Sequence, residues 1–261
     1  MFSNEQRCIY KKSQLAEVIC QLRFPRILSI GTEPPAQFQE HIRHALPQYS
    51  VRKEAPAPKI KANQGQFSLE QQPQTINHQF ASADGVWRVN LTDSFISLAC
   101  TRYTCWEDFA AQLDKPLAAF IQVYKPAYFE RIGLRYLNFF SRKCLSLEGI
   151  PFSELLQSPY LGLMQEEDVP EHTVTQSTVN AELAIRGGCK VKIHAGPGLV
   201  KQNGQQDKEI RFILDQDLFM PGNVPVNMSA GALQTLHGQA YSIFRGAITD
   251  TLHNALEPIN L

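Results

Sequence analysis

The chain has 261 residues, with 25 Lys and Arg against 25 Asp and Glu, and 43% of its residues are hydrophobic. A chain of this length buries a large core without help from a metal ion or a disulfide. Its balanced charge and its pI near 7.0 argue against a protein that mainly coats DNA, RNA or an anionic membrane, because that affinity needs excess Lys and Arg. Nucleic-acid binding is therefore kept only as a third hypothesis.

The sequence predicts a cytoplasmic protein with no membrane partner. No apolar run approaches the roughly 18 residues that a membrane helix needs. Residues 1–24 also lack the basic start, apolar middle and small-residue cleavage site of a secretory signal. The cysteines are spread without a C-x-x-C, as is typical of reduced thiols in the cytosol, and they are Cys8, Cys20, Cys100, Cys105, Cys144 and Cys189.

Hydrophobic periodicity predicts a strand, a short helix and a loop at the start of the chain. The strand covers residues 16–24, in which every second side chain is apolar. A short amphipathic helix follows the Pro-Pro pair at 34–35 and stops at Pro47. Residues 52–66 contain prolines, lysines and no periodicity, which predicts an exposed loop or a frayed hairpin arm.

A meander and a long helix complete the first half. Three or four strands are predicted over residues 67–103, because alternating runs are separated there by turn sequences. Thr104 and Glu107 then have the spacing of a capping box, which predicts a helix start. The apolar stripe that follows ends near Pro126.

The second half repeats this order of elements. We predict a strand over 129–140, a short helix after Ser153, strands near 173–185, 189–194 and 209–214, and a long helix from Ser229. The segment EVICQLRF at 17–24 also resembles ERIGLRY at 130–136 with one residue removed. The predicted fold is therefore α+β, a duplicated β-α-β(3–4)-α unit with antiparallel sheets backed by two long helices. The first repeat covers residues 1–125 and the second covers 126–261, packed as one unit.

Several longer phrases carry a resemblance to a known family. They are AEVICQLRFP at 16–25, DGVWRVNLTDSFISLACTRYTCWEDF at 84–109, RIGLRYLN at 131–138 and LHGQAYSIFRGAITDTL at 236–252. With these phrases the chain resembles, over nearly its whole length, a sporadically distributed family of bacterial proteins of similar size with no established activity. The resemblance implies a cytoplasmic bacterial protein carried on horizontally moving genes, and it implies no chemistry.

One face of the second-half sheet is predicted to be basic. Arg131, Gly133 and Arg135 share one face of their strand, because side chains alternate along a strand. If charged residues of the neighbouring strands point the same way, they form a surface that holds a polar or anionic ligand through guanidinium contacts. The candidate ligand-binding residues are Arg23, Arg131, Arg135, Glu182, Lys192 and Arg211. The alternative is an ordinary solvent-facing sheet surface, in which such residues pair across strands.

The sequence contains no catalytic signature. The seven histidines form no H-E-x-x-H or H-x-H motif, so neither a metal ion nor another cofactor is predicted. His237 falls on the apolar stripe of the last long helix, which favours a core histidine. Cys105 lies in the first turn of a predicted helix, where the dipole favours a thiolate, but no histidine lies nearby in sequence to act as its base.

Two further motifs have structural interpretations. The Ala-Gly-Pro-Gly run at 195–198 lacks the G-K-[ST] ending of a phosphate loop, and we predict a long hairpin loop there. Asp215 and Asp217 are predicted at a strand end, where two carboxylates are too few ligands for Mg²⁺.

The first hypothesis for function is a non-catalytic module that binds a partner protein or a small polar or anionic ligand at the arginine face. The alternative is an enzyme whose site assembles only in three dimensions, with His194, His237 or Cys105 as acid, base or nucleophile. A homodimer is the default assembly.

Overall fold

The fold combines one large antiparallel sheet with helices packed on one of its faces. The computed structural model describes residues 1–54, 59–63, 66–70, 74–202 and 205–260. The strands of the first half are β1 (Cys8–Tyr10), β2 (Leu15–Arg23), β3 (Gln48–Glu54), β4 (Lys59–Asn63), β5 (Gln66–Glu70), β6 (Thr75–Ala81), β7 (Trp87–Leu91) and β8 (Phe95–Cys100). Those of the second half are β9 (Phe129–Phe140), β10 (Val179–Ala184), β11 (Lys190–Gln202), β12 (Gln205–Val224) and β13 (Pro258–Asn260).

Three of the described helices are short and two are long. They are α1 (Leu28–Thr32), α2 (Ala36–Ile42), α3 (Trp106–Tyr124), α4 (Ser229–Arg245) and α5 (Asp250–Ala255). Short 3₁₀ turns replace the helix expected after Ser153, beginning with residues Phe152–Glu154. Within the described ranges, no helix is both long and apolar enough to cross a membrane. The predicted α+β class with antiparallel strands is confirmed.

Nine strands form the main sheet in the order β10-β11-β12-β9-β2-β8-β7-β6-β3. Within this sheet, the first strands of the two halves are β2 and β9, which are antiparallel neighbours in its middle, where Val18 lies opposite Tyr136. In each half, the first strand also pairs with the last strand before the long helix, β2 with β8 and β9 with β12. Two smaller ladders join β1 to β13 and β4 to β5.

The two faces of this sheet differ because side chains alternate along each strand. The inner face carries the core, with Val18, Cys20 and Leu22 of β2 beside Ile132 and Leu134 of β9, all fully buried. The long helices α3 and α4 cover this face, with α3 against β8 and α4 against β9 and β12. The outer face carries the charged residues of β9, β11 and β12, of which Arg135, Lys192 and His194 are exposed.

The predicted capping box at the start of α3 is wrong. The N-cap residue is Cys105, and no side-chain hydrogen bond caps the helix. The hydroxyl of Thr104 instead donates to the carboxylate of Asp108 at 2.6 Å. Glu107 is held by an ion pair with Arg7, far away in sequence. The ion pair with Arg7 therefore engages the Glu107 carboxylate, which a capping box would need for its own hydrogen bond.

The hairpin loop predicted at 195–198 is also wrong, because β11 runs straight through it. A Cβ on Gly196 would lie 2.3 Å from the carbonyl oxygen of Ser177, so glycine lets this segment pass close to the neighbouring backbone. Among the strands that the structure describes, β11 pairs beyond Ala195 only with β12, so Pro197 lies on an edge where its lack of an N–H is tolerated. The loop predicted over residues 52–66 falls partly outside the described residues, and within them it contributes to β3 and β4.

An N-terminal segment, residues 3–15, lies across α4 and α5 and was not predicted. The buried Arg245 fastens it with bonds to Glu5 at 2.7 Å and, on the other side, to Asp250 at 2.6 Å. The Ser3 N–H donates to the Ser242 carbonyl, and β1 pairs with β13. This segment closes one side of the space between the helices and the sheet.

Candidate functional site

A cavity of about 90 Å³ lies between the inner face of the sheet, the start of α3, α4 and the N-terminal segment. Apolar residues such as Leu15, Phe244 and Leu256 form part of its wall. Its polar lining comes from side chains far apart in sequence and includes Arg7, Tyr103, Tyr136, Asn138, Gln216 and His237. Such a mixture of apolar wall and a few convergent polar groups is typical of small-molecule sites.

Three polar residues on the inner face of β9 and β12 form the floor of this cavity. They are Tyr136 and Asn138 on β9 and Gln216 on β12. Gln216 lies directly opposite Tyr136 in the strand register, and Asn138 lies opposite Leu214. Each is less than a tenth exposed. The polar floor therefore lies where the two central strands of the second half meet.

Gln216 is fully buried, and neither its Nε2 nor its Oε1 has a hydrogen-bond partner among the described residues. A buried polar group without a partner costs about 1–3 kcal/mol, and native proteins contain few of them. Gln216 borders the cavity, but both amide atoms are buried behind its wall.

A hydrogen-bonded chain runs along one wall. Nη1 of Arg7 lies 3.0 Å from Nε2 of His237, and Nδ1 of His237 lies 3.0 Å from the hydroxyl of Tyr136. A guanidinium can only donate, so Nε2 of His237 accepts and its proton sits on Nδ1. Burial and the nearby Arg7 charge lower the pKa of His237 to about 4, so the imidazole is neutral at pH 7. The predicted core position of His237 is thereby confirmed.

The phenols of the cavity keep their protons. Burial raises the pKa of Tyr103 and raises that of Tyr136 well above its ordinary value. The two rings meet edge to face with centroids 5.9 Å apart. Neither phenol nor the neutral imidazole of His237 therefore titrates near pH 7.

Trp106 fixes the ring of His237 from the other side. The two rings are stacked, with centroids 4.6 Å apart and planes within 8° of each other. The indole Nε1 of Trp106 donates to Gln234 at 2.9 Å, which orients the indole. Cys105 precedes it and lines the same cavity, with its side chain only partly buried.

On the outer face, the predicted arginines point together as expected but are already paired. Arg131 binds both carboxylate oxygens of Asp217, at 2.6 and 2.8 Å. Arg135 binds both oxygens of Asp215, at 2.7 and 2.5 Å. The prediction that Asp215 and Asp217 stand at a strand end is wrong, because β12 extends through Val224 and places them in mid-strand.

A groove of about 470 Å³ crosses this outer face, and three of the six candidate residues line it. These are Arg135, Glu182 and Lys192, and Glu182 pairs with Lys192 at 3.6 Å. His194 lies beside them and is bonded through Nδ1 to the Asn180 side chain at 2.8 Å. The groove therefore has cationic and acidic groups in close alternation.

The other three candidate residues lie beside this groove or away from it. Arg131 reaches its edge only through Asp217. Arg23 is exposed on β2, directly opposite Arg131 in the register. Arg211 is further along β12 and is paired with Asp207 and Glu209. The structure thus brings together a smaller set than the sequence suggested.

Sequence reasoning missed the cavity because its residues come from six separate segments of the chain. One signal was available, since Tyr136, Asn138 and Gln216 are polar residues at inward-facing positions of otherwise apolar strands. Their neighbours Leu134, Leu214 and Leu218 are fully buried. A polar residue at such a position is a deviation that needs a partner. Comparison of the chain with known protein families and with curated proteins finds no match.

Proposed function

We propose that this protein is a non-catalytic module that binds a small polar ligand in the cavity beneath α3 and α4. The observation that carries the proposal is the cavity itself, where polar side chains from distant segments, among them Arg7, Tyr103 and Asn138, converge beside an apolar wall. The partly apolar wall supplies the area that a small ligand needs for affinity.

The ionisation states at the cavity favour binding over acid–base catalysis. A general acid or base works best with a pKa near the operating pH. The pKa of His237 is about 4, and the phenols of Tyr103 and Tyr136 have raised pKa values. In addition, Arg7 occupies the one free lone pair of the imidazole. These groups can orient a ligand but do not exchange protons with it at pH 7.

Native mass spectrometry of the protein purified from its own cells at low salt tests this proposal. We expect a bound small molecule, and we expect Ala240→Leu to remove it, because Ala240 lines the cavity and the larger side chain fills it. Ala230→Leu is the control, since Ala230 is exposed on the same helix. Circular dichroism verifies that both variants fold. A wild-type protein that carries no ligand, or an Ala240→Leu variant that keeps it, contradicts the proposal.

The outer-face groove is a second candidate, for an anionic ligand. Arg135, Lys192 and His194 line it together, which supports the arginine face inferred from the sequence. The carboxylates of Asp215 and Asp217 already occupy the two guanidinium groups, so an anion must displace them. That competition places the groove second to the cavity.

Two broader features of the chain belong to the same proposal. The matching pairings of β2 with β8 and of β9 with β12, each followed by a long helix, support the duplication of one α+β unit. All six cysteines are free thiols, which supports a reducing compartment such as the cytoplasm.

A further inference from the structure

We propose that residues 3–10 form a gate over the cavity. A small molecule enters when these residues detach from α4 and from the start of α3, while the sheet and both long helices stay folded. The inference rests on the proposed function, because it concerns how the site in the cavity is reached. Three observations lead to it: the position of these residues in the cavity wall, the exposed contacts that hold them, and the two contacts made by Arg7.

The gate forms one wall of the cavity, since residues 7–10 all line the enclosed space. The floor and the opposite side belong to long elements. Asn138 lies on β9, which is paired with β2 on one side and with β12 on the other. Ala240 lies on α4, which packs against β9 and β12. Displacement of residues 3–10 therefore opens the cavity and leaves the core in place.

Exposed polar contacts hold the gate in its closed position. Within residues 3–10, Cys8 is the only buried residue. Arg7 pairs with Glu107, whose side chain is 59% exposed, and Arg245 pairs with Glu5, which is 52% exposed. The ladder between β1 and β13 adds only three residue pairs. Segments with few buried contacts and exposed bonds open at a lower free energy than the core, so the gate can open without global unfolding.

Arg7 connects the gate to both long helices. Its Nη2 donates to the carboxylate of Glu107 in the first turn of α3, and its Nη1 lies 3.0 Å from Nε2 of His237 on α4. When Arg7 leaves, Nε2 of His237 loses its donor and can accept a hydrogen bond from an entering molecule. The movement that opens the cavity thus also frees an acceptor at its wall.

Alkylation of Cys8 by N-ethylmaleimide measures this opening without any ligand. Cys8 is 8% exposed, and its Sγ accepts a hydrogen bond from the hydroxyl of Tyr241. We expect Arg7→Met to raise the rate of Cys8 modification about tenfold, because the loss of bonds to a charged group favours the open gate. Arg43→Met is the matched control, since Arg43 makes an exposed pair with Glu40 at the end of α2. The control should leave the rate unchanged.

Peptide mass spectrometry assigns the modification to each cysteine, and Cys20 shows whether the opening is local. Cys20 is fully buried on the inner face of β2, so it reacts only when the core unfolds. Its rate should be the same in the wild type and in both variants. Equal increases at Cys8 and Cys20 would mean global unfolding and would overturn the inference.

Fluorescence quenching by acrylamide shows whether the open gate admits a small neutral molecule. The chain has two tryptophans, so a Trp87→Phe background leaves Trp106, which lines the cavity, as the only one. In this background, we expect stronger quenching in Arg7→Met than in Arg43→Met. Faster modification of Cys8 without stronger quenching of Trp106 overturns the inference, because the segment would then move without opening the cavity.

An unchanged rate at Cys8 in Arg7→Met overturns the inference as well. If Arg7→Met does not fold, Glu107→Ala replaces it, because it removes the same ion pair from the side of α3 and should also raise the rate at Cys8. Neither measurement needs a ligand, so a failure of the gate leaves the proposed function standing. Native mass spectrometry tests that function separately, and a protein without a ligand there would contradict it whatever Cys8 shows.

Discussion

The guanidinium of Arg131 lies directly over Gly133, two residues further along the same strand. A Cβ on Gly133 would be 2.2 Å from Nη1 and 2.8 Å from Cζ of Arg131. Because it lies over Gly133, the Arg131 side chain reaches Asp217, and its guanidinium is 4.6 Å from the centre of the Phe219 ring. The glycine that separates the two arginines of the basic face is therefore the residue that lets the first one pair.

Gly133→Ala should displace Arg131 from Asp217. We expect a loss of about 1 kcal/mol in the free energy of unfolding, the value of a half-buried bidentate pair. Urea denaturation measures it. In an Arg131→Met background, the same glycine substitution should be neutral or slightly stabilising, because alanine suits a strand better than glycine. Equal effects of Gly133→Ala in both backgrounds would show that the guanidinium is not the obstacle.

Arg135→Ala should leave the protein folded. Arg135 is 44% exposed, so its ion pair with Asp215 is worth at most about 1 kcal/mol. Asp215 is only 15% exposed, and losing its partner adds a modest cost. Circular dichroism and urea denaturation should give a native spectrum and this small loss. An unfolded variant would instead show that Arg135 is needed for folding. Titration of the folded variant with sulfate tests whether the groove binds an anion.

Stability should depend on pH through His237. Its pKa is about 4 in the folded protein against an ordinary value of 6.5, so the unfolded chain binds the proton first as the pH falls. The contribution of the neutral His237 ring to the free energy of unfolding is complete above pH 6.5. It declines between pH 6.5 and 4 and does not change further below pH 4. It amounts to about 3 kcal/mol over this range.

Urea denaturation at several pH values checks this dependence. Between pH 6.5 and 4, the wild type should take up about one proton more on unfolding than His237→Gln. His194→Gln serves as the control, because His194 is exposed on the outer face. Identical slopes for the wild type and His237→Gln would contradict the assignment of a neutral, buried ring.

Gln216→Leu should raise stability in the absence of a ligand. It replaces a buried amide without partners by an apolar side chain of similar size, and we expect a gain of about 1–2 kcal/mol. In a chain of this length, that corresponds to an increase of roughly 2–8 °C in Tm. Differential scanning calorimetry of ligand-free protein measures it. A fall in Tm would mean that the amide already has partners inside the protein.

Arg245→Met should loosen the N-terminal segment. Arg245 is 8% exposed and binds Glu5, Asp250 and the carbonyl of Ile248. We expect a loss of about 2 kcal/mol, because bonds to a charged group are broken. Hydrogen exchange should increase over residues 3–10. Lys12→Met is the matched control, since its ion pair with Glu257 is half exposed on both sides.

Strong periodicity made β9 predictable to the residue, because every second residue from Ile132 to Phe140 is buried. The predicted boundaries of helices and strands were wrong where tertiary contacts outweighed the local sequence pattern. Glu107 has the spacing of a cap but pairs with Arg7 instead. Gly196 and Pro197 resemble a turn but lie in a strand, since their neighbours there are a close backbone and a free edge. No local pattern contains that information.

For the candidate sites, too, the sequence predicts some features and not others. The shared face of Arg131 and Arg135 follows from alternation and could be predicted. Their partners could not, because β12 was expected to end before Asp215. The cavity needed contacts between Arg7 and His237, which are separated by 230 positions in the chain. Periodicity describes one element at a time, so it cannot find such a cluster.

The pairing of β2 with β9 has a consequence for synthesis on the ribosome. Once residues 95–100 have emerged, β2 can pair with β8, but its opposite edge stays open until β9 is made. An open, partly apolar edge is a template for pairing with another chain. Because N-terminal regions fold first as the chain is synthesised, every nascent molecule passes through a stage with this edge exposed. A chain interrupted before residue 129 would keep that edge and associate with its copies.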